Sequence, residues 1–181
     1  MKKCAYLLIL LCAFTLCFAG YKLVLCVFHP VNYREEIEFY SKEYHLSPTL
    51  VASVINVESS YKTRAKSQKN ALGLMQIKLD TANYLNDYYK QGEAVTEEFL
   101  FDEKNNIKYG CLYLKYLIDK FEDENTALSA YNAGETRVRA WLKDEELSFD
   151  GKTLSNIPYD ETRNYVKKVQ NNKRFYSKVF N

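Results

Sequence analysis

After Asn32 the chain repeats apolar residues at helical spacing almost throughout, and no run alternates like a strand over more than a few residues. Tyr33 to His45 reads as an amphipathic helix. Ser47-Pro48 supplies an N-cap followed by proline at the first helical position, opening a helix that runs to about Ser60. Residues 61–72 are polar and basic and read as a loop, and Leu79 to Tyr89 reads as a third helix ended by Gln91-Gly92. Asp102 caps the next, in which Ile107, Cys111, Leu114, Ile118 and Phe121 recur at alternating spacings of four and three. With Leu117 beside it, that stripe predicts the central helix. Glu124 to Ala133 forms another helix stopped at Gly134, Thr136 caps a short turn through Trp141, residues 143–157 form a loop, and a last helix begins near Pro158. No internal repeat appears. The pattern predicts an all-α protein with one globular domain over residues 29–181.

The front of the chain is different. Cys4 to Tyr21 is a run of eighteen residues without a charge, preceded by Lys2-Lys3 and continued by LVLCVF after Lys22. Eighteen apolar residues just suffice to cross a bilayer, and the positive-inside rule leaves everything after Phe28 outside. Residues 1–28 are therefore expected to be a membrane anchor, giving a single-pass protein of the cell membrane with an extracytoplasmic domain. A cleaved signal peptide ending around Ala19 and Gly20, with export to the cell wall, is the alternative.

Charge and cysteine usage narrow the function classes. Of the 25 Lys and Arg, three (Lys2, Lys3, Lys22) lie in the first 28 residues, which hold no acid, so the rest of the chain carries 22 basic against 23 acidic side chains. A near-neutral domain lacks the field that nucleic-acid binding requires. Four of the five cysteines lie in or beside the apolar segment, leaving Cys111 alone in the domain on the core stripe, where it reads as a small buried hydrophobe. One cysteine and two histidines, His29 and His45, make a zinc site improbable, and neither metal nor cofactor is expected.

One position breaks the apolar pattern. The helix from Pro48 puts Val51, Val54 and Ile55 on one face, and Glu58 is the next position of that stripe. A carboxylate there is either partnered by a cation or turned to water at the helix end, or it is a tuned acid. Desolvation and the negative end of the helix dipole both disfavour the ionised form and raise its pKa towards neutrality, as a general acid requires. Periodicity alone leaves both accounts open.

The wording around Glu58 adds to this. Residues 58–77 read ESSYKTRAKSQKNALGLMQI, residues 106–110 NIKYG, residues 130–134 AYNAG, and residues 157–166 IPYDETRNYV. In this order and spacing they resemble the soluble lytic transglycosylases, a bacterial family with a goose-type-lysozyme-like fold that cuts the glycan strands of peptidoglycan. The resemblance covers essentially residues 33–181. It implies a lysozyme-like domain in which Glu58 is the catalytic acid and Ser67 contacts the sugar beside it. Gly73-Leu74-Met75-Gln76 match the turn and strand-like segment lining the cleft, with Gln76 holding an N-acetyl group or another polar feature of the glycan. Met75, Tyr131, Asn132, Glu161 and Tyr165 complete the implied substrate-binding set. Glu161 and Tyr165 are four apart, so they share a helix face, and Tyr131 can pack its ring against a sugar while its hydroxyl hydrogen-bonds. Departures from the family wording at Thr63, Asn70-Ala71, Lys78-Leu79-Asp80 and Glu135-Thr136 sit mostly in loops and at helix starts.

The implied reaction is cleavage of the β-1,4 bond between N-acetylmuramic acid and N-acetylglucosamine, with formation of a 1,6-anhydro end. The implied partners are peptidoglycan glycan strands and, through the N-terminal segment, a membrane; a monomer is expected. A hydrolase of the same fold and a membrane-tethered wall-binding module with little turnover are the competing expectations.

Overall fold

A computed structural model describes residues 11–17, 20, 31–92 and 95–180. The chain divides into two compact units, residues 1–32 and 33–181. In the first, residues 11–17 and 20 are helical. Most of the apolar segment expected to anchor the protein lies outside the described residues, and no helix among those described is long and apolar enough to cross a membrane.

The second unit is mainly helical. Its elements are α1 (Arg34–Glu43), α2 (Pro48–Ser59), β1 (Ala71–Leu72), β2 (Ile77–Lys78), α3 (Leu79–Tyr88), α4 (Glu97–Phe101), α5 (Glu103–Phe121), α6 (Glu124–Ala133), α7 (Glu135–Trp141) and α8 (Asp160–Phe180). The expected helices form within a residue or two of their expected ends. Asp102 caps α5 by accepting from the Asn105 N–H at 3.0 Å, and Asp123 does the same for α6 through Thr126 at 2.7 Å. Ser47 occupies the N-cap position of α2 but does not cap with its side chain; its hydroxyl meets Thr49 Oγ1 at 2.6 Å instead. At α7 the expected cap Thr136 is displaced by Gly134, whose φ of 94° lets α6 run almost directly into α7.

Two elements depart from the sequence reading. The short helix α4 was not expected: at five residues it carries too little periodicity, although Thr96 caps it through the Phe99 N–H at 3.1 Å. The loop between α2 and α3 contains a two-stranded antiparallel ribbon pairing Ala71 with Lys78 and Leu72 with Ile77. Strands of two residues leave no alternation to read.

The central position of α5 follows from its stripe. Ile107, Cys111, Leu114 and Leu117 are fully buried, Phe121 nearly so and Ile118 partly, and α1, α3, α4 and α6 pack around them. Burying a side chain of that size contributes roughly 1.5–3 kcal/mol. Burial holds the Cys111 thiol well above its ordinary pKa, so it behaves as the apolar residue its position predicts. On the other side α2 packs along α8, tied by Asn56 Nδ2 donating to the Tyr176 hydroxyl at 3.0 Å. The end of α2, the ribbon and the start of α8 thus converge on one side of α5.

Candidate active site

Glu58 sits in the last turn of α2, one residue before its end, and Ser60 and Tyr61 then turn the chain sharply through φ values of 51° and 62°. Val51, Val54 and Ile55 bury the same face completely. Burial raises the Glu58 carboxyl to about 7, and Tyr165 acts in the opposite direction. Among the described residues no cation pairs with Glu58. Of the two accounts its position allowed, the ion-paired one is absent here.

The segment after α2 is fixed by a set of backbone clamps. Ser59 Oγ donates to the Leu74 carbonyl at 2.8 Å, fastening the end of α2 to the turn. Gly73 adopts φ 71°, and a Cβ there would lie 2.1 Å from Asn106 Nδ2 and 2.7 Å from the Leu100 carbonyl. Asn106 is buried and uses its whole amide: Oδ1 accepts from the Met75 N–H at 2.7 Å, and Nδ2 donates to Leu72 O at 2.9 Å and Leu100 O at 2.6 Å. From the other side the Tyr131 hydroxyl donates to the Met75 carbonyl at 2.7 Å. Gly110 lets α5 come up against Met75, since a Cβ there would lie 2.1 Å from Met75 Sδ. Asn106 and Gly110 are four residues apart on one face of α5, and Tyr113 follows at three. That face carries the turn and one wall of the cleft.

The cleft itself has a volume of about 490 Å³ and is lined by Glu58, Ser67, Gln76, Tyr131, Asn132 and Glu161, together with Lys69, Lys78, Thr81, Tyr113, Gly134 and Arg137 among others. Six of the eight expected site residues therefore share one concavity. Their free polar groups can be counted. Ser67 Oγ accepts from the Ala71 N–H at 3.1 Å, which leaves its own proton to donate. Gln76, at φ 50°, spends its amide hydrogens on Gly73 O at 2.9 Å and Ala65 O at 3.2 Å, so Oε1 remains as an acceptor. Asn132 Oδ1 accepts from the buried Thr162 hydroxyl at 2.8 Å, so its amide hydrogens remain as donors. The cleft thus offers a hydroxyl donor, an amide acceptor, an amide donor and one carboxyl whose titration is raised to about 7.

Two expected contacts are corrected. Met75 has no exposed surface and is absent from the lining; clamped between Asn106, Tyr131 and Gly110, it supports the wall from behind and cannot touch a ligand with its side chain. Glu161 and Tyr165 share a face of α8 but do not enter the cleft together. Glu161 is 73% exposed at its rim, 3.7 Å from Lys69 Nζ, whereas Tyr165 is buried beside Glu58. Its influence is on Glu58.

The sequence pattern gives Asn106 no role of its own, although it opens the block NIKYG. The available signal was an amide four residues before a glycine on a helix otherwise striped with apolar residues. Lys69, Lys78, Thr81, Tyr113 and Arg137 were also missed, and nothing in their spacing marks them. Among the described residues no group of three or more His, Cys, Asp or Glu side chains could hold a metal.

Comparison with known proteins places the fold in a family. The family model of the transglycosylase SLT domain matches residues 35–151. The chain is 32% identical over 148 residues to the soluble lytic murein transglycosylase of Salmonella typhimurium, covering 77% of this chain and 22% of that protein. It is 37% identical over 127 residues to the transglycosylase of Enterobacteria phage PRD1, covering 70% of this chain and 43% of the phage protein. Among solved structures, an inactive glutamate-to-glutamine mutant of lytic transglycosylase Slt from Pseudomonas aeruginosa superposes with a TM-score of 0.75 at 32% identity, over 86% of this chain and 25% of that one. The chain spans only about a fifth of the Salmonella protein's length and about two fifths of the phage protein's.

Proposed function

Since the chain belongs to the transglycosylase SLT family, we propose that it cleaves peptidoglycan strands at the β-1,4 bond between N-acetylmuramic acid and N-acetylglucosamine. The observation that carries this reading is a carboxyl raised to about 7 by burial, opening onto a cleft in which Ser67, Gln76 and Asn132 leave uncharged donor and acceptor atoms matched to hydroxyl and acetamido groups. The similarity to an enzyme inactivated by a single glutamate-to-glutamine change supports it.

Glu58 protonates the glycosidic oxygen as the bond to C1 breaks, which places a positive charge on the muramoyl ring. The resulting carboxylate then takes the proton from the muramoyl C6 hydroxyl as that oxygen attacks C1, closing the 1,6-anhydro ring and regenerating the acid. The nucleophile belongs to the substrate, so a second, water-activating carboxylate is not needed. Glu161, the other carboxylate on the cleft, is exposed at the rim beside Lys69, and this fits a binding role. Ser67, Gln76 and Asn132 orient the sugars through the donor and acceptor atoms left free, with Tyr131 walling the site between Met75 and Tyr113.

The substrate lies outside the cytoplasmic membrane, and the uncharged run from Cys4 to Tyr21 is the feature that takes the domain there, as an anchor. A single copy carries every group named. The reading is tested by mass spectrometry of muropeptides released from purified sacculi by the parent and by Glu58→Gln. The parent is expected to release products lighter by one water than the hydrolytic ones, and Glu58→Gln almost none. Reducing ends alone would make the protein a muramidase, and equal release by both would remove Glu58 from the chemistry.

A further inference from the structure

A series of tyrosine rings leaves the cleft along two helices. Thr81 in the first turn of α3 and Tyr113 on α5 both line the cleft. Three residues further along each helix, on the same faces, stand Tyr84 and Tyr116, and Tyr88 follows Tyr84 by one turn. The rings are contiguous. Tyr113 lies 5.0 Å from Tyr131 and stacks on Tyr116 at 6.5 Å, and Tyr116 meets Tyr84 and Tyr88 edge-on at 5.7 and 5.4 Å. Tyr116 is buried, whereas Tyr84 is 49% and Tyr88 58% exposed. The series begins at the acid's cleft and ends on open surface.

A charged network holds Tyr116, and through it Tyr84, in place. Lys120 Nζ donates to the Tyr116 hydroxyl at 2.6 Å, and that hydroxyl donates to Glu135 Oε2 at 2.9 Å. Tyr116 has no second proton, so in its 3.1 Å contact with Tyr84 the Tyr84 hydroxyl is the donor. Lys120 and Arg139 flank Glu135 at 2.6 and 3.3 Å. Partial burial alone would raise the Glu135 carboxyl, but its bonds from Lys120 and Tyr116, and the Arg139 charge, hold it below the ordinary value. The cleavage proposed above uses none of this. Rings fixed in this way have little side-chain freedom to lose on binding. A pyranose has an apolar C–H face and a rim of hydroxyls, and the patch offers it a ring face bordered by charged hydrogen-bonders.

We propose that Tyr84 and Tyr88 form a further sugar-binding subsite that takes the glycan strand where it leaves the cleft beside Tyr113, so that strands longer than the cleft are held on the outer surface of α3. This inference rests on the cleft being a glycan-cleaving site.

The test compares long purified glycan strands with a tetrasaccharide as substrates for the parent, Tyr88→Ala and the ring-keeping Tyr88→Phe. The long-to-short ratio of kcat/KM is expected to fall about 3- to 10-fold in Tyr88→Ala, the size of an aromatic contact, and to stay near the parent's in Tyr88→Phe. Retention of long strands, measured in the Glu58→Gln background, is expected to weaken by the same factor when Tyr88→Ala is added. An unchanged ratio with unchanged retention overturns the subsite and leaves the patch to a protein partner. Should the parent cleave neither substrate, the cleft's own assignment fails, and retention alone still decides the subsite.

Discussion

The buried phenol of Tyr165 lies beside the Glu58 carboxyl and, as a hydrogen-bond donor to it, draws that carboxyl down against the rise that burial imposes. The effect is mutual: burial first, and then the nearby Glu58, push the Tyr165 phenol well above its ordinary value, so it stays protonated. The proposed reaction needs a protonated Glu58, so kcat/KM should fall as pH rises through about 7. Tyr165→Phe removes the opposing influence and leaves burial alone, so the same fall should come at higher pH. Rate profiles of kcat/KM against pH for the two proteins check this, and a limb that moves to lower pH contradicts the assigned contact.

The same carboxyl makes stability depend on pH. Folded, Glu58 titrates at about 7 against an ordinary 4.5, so the folded chain holds this proton more tightly than the unfolded one. The burial cost is absent while both states are protonated, grows as pH rises above about 4.5, and is complete above about 7, where it amounts to about 3 kcal/mol. Glu58→Gln never ionises. Its Tm should equal the parent's near pH 4 and exceed it at pH 8, while glycan cleavage drops about 10²- to 10⁴-fold. Equal Tm values at both pH values would mean that the carboxyl is already well solvated.

What the sequence reveals depends on whether a property is periodic. Ile107 to Phe121 announces the central helix because every third or fourth residue must meet the core, and Glu58 stands out because it interrupts such a series. The ribbon at Ala71–Leu72 and Ile77–Lys78 is too short to show a period. The division of labour between Glu161 and Tyr165 is hidden for a related reason: helical spacing puts both on one side of α8, but only the packing of α2 against α8 decides which of them water reaches. Met75 sits beside Gln76 in the sequence, yet its backbone is clamped by Asn106 and Tyr131 and its side chain is buried. Those partners lie 31 and 56 residues away.

The turn at residues 73–76 should be the most substitution-sensitive part of the site that does not itself carry the chemistry. Asn106→Leu keeps the volume but strands the buried Met75 N–H, at a cost of about 1–3 kcal/mol, and removes one bond each from the Leu72 and Leu100 carbonyls. Gly110→Ala should cost about 1–3 kcal/mol by driving a methyl into Met75. In combination with Met75→Ala the clashes with Sδ and Cε disappear and only the approach to the residue 75 Cβ remains, so the double variant should be less destabilised than the two losses added together. Denaturant unfolding of the four proteins gives the coupling, and strict additivity would show that the close approach carries no strain.

Thr162 is expected to act on the substrate through Asn132 without touching it. Its buried hydroxyl donates to Asn132 Oδ1 at 2.8 Å and so fixes which end of that amide faces the cleft. Thr162→Val keeps the shape and removes the donor, leaving the Asn132 amide free to present either its oxygen or its nitrogen. Stability should fall by about 1 kcal/mol, the net worth of one such bond. KM should rise about 3- to 10-fold, the factor for losing roughly one oriented hydrogen bond to a sugar. The fall of kcat/KM near pH 7 should not move, because Glu58 keeps its surroundings. Thr162→Ser restores the hydroxyl and should restore KM, whereas a purely structural role would leave KM unmoved in Thr162→Val once the fold is shown intact by circular dichroism.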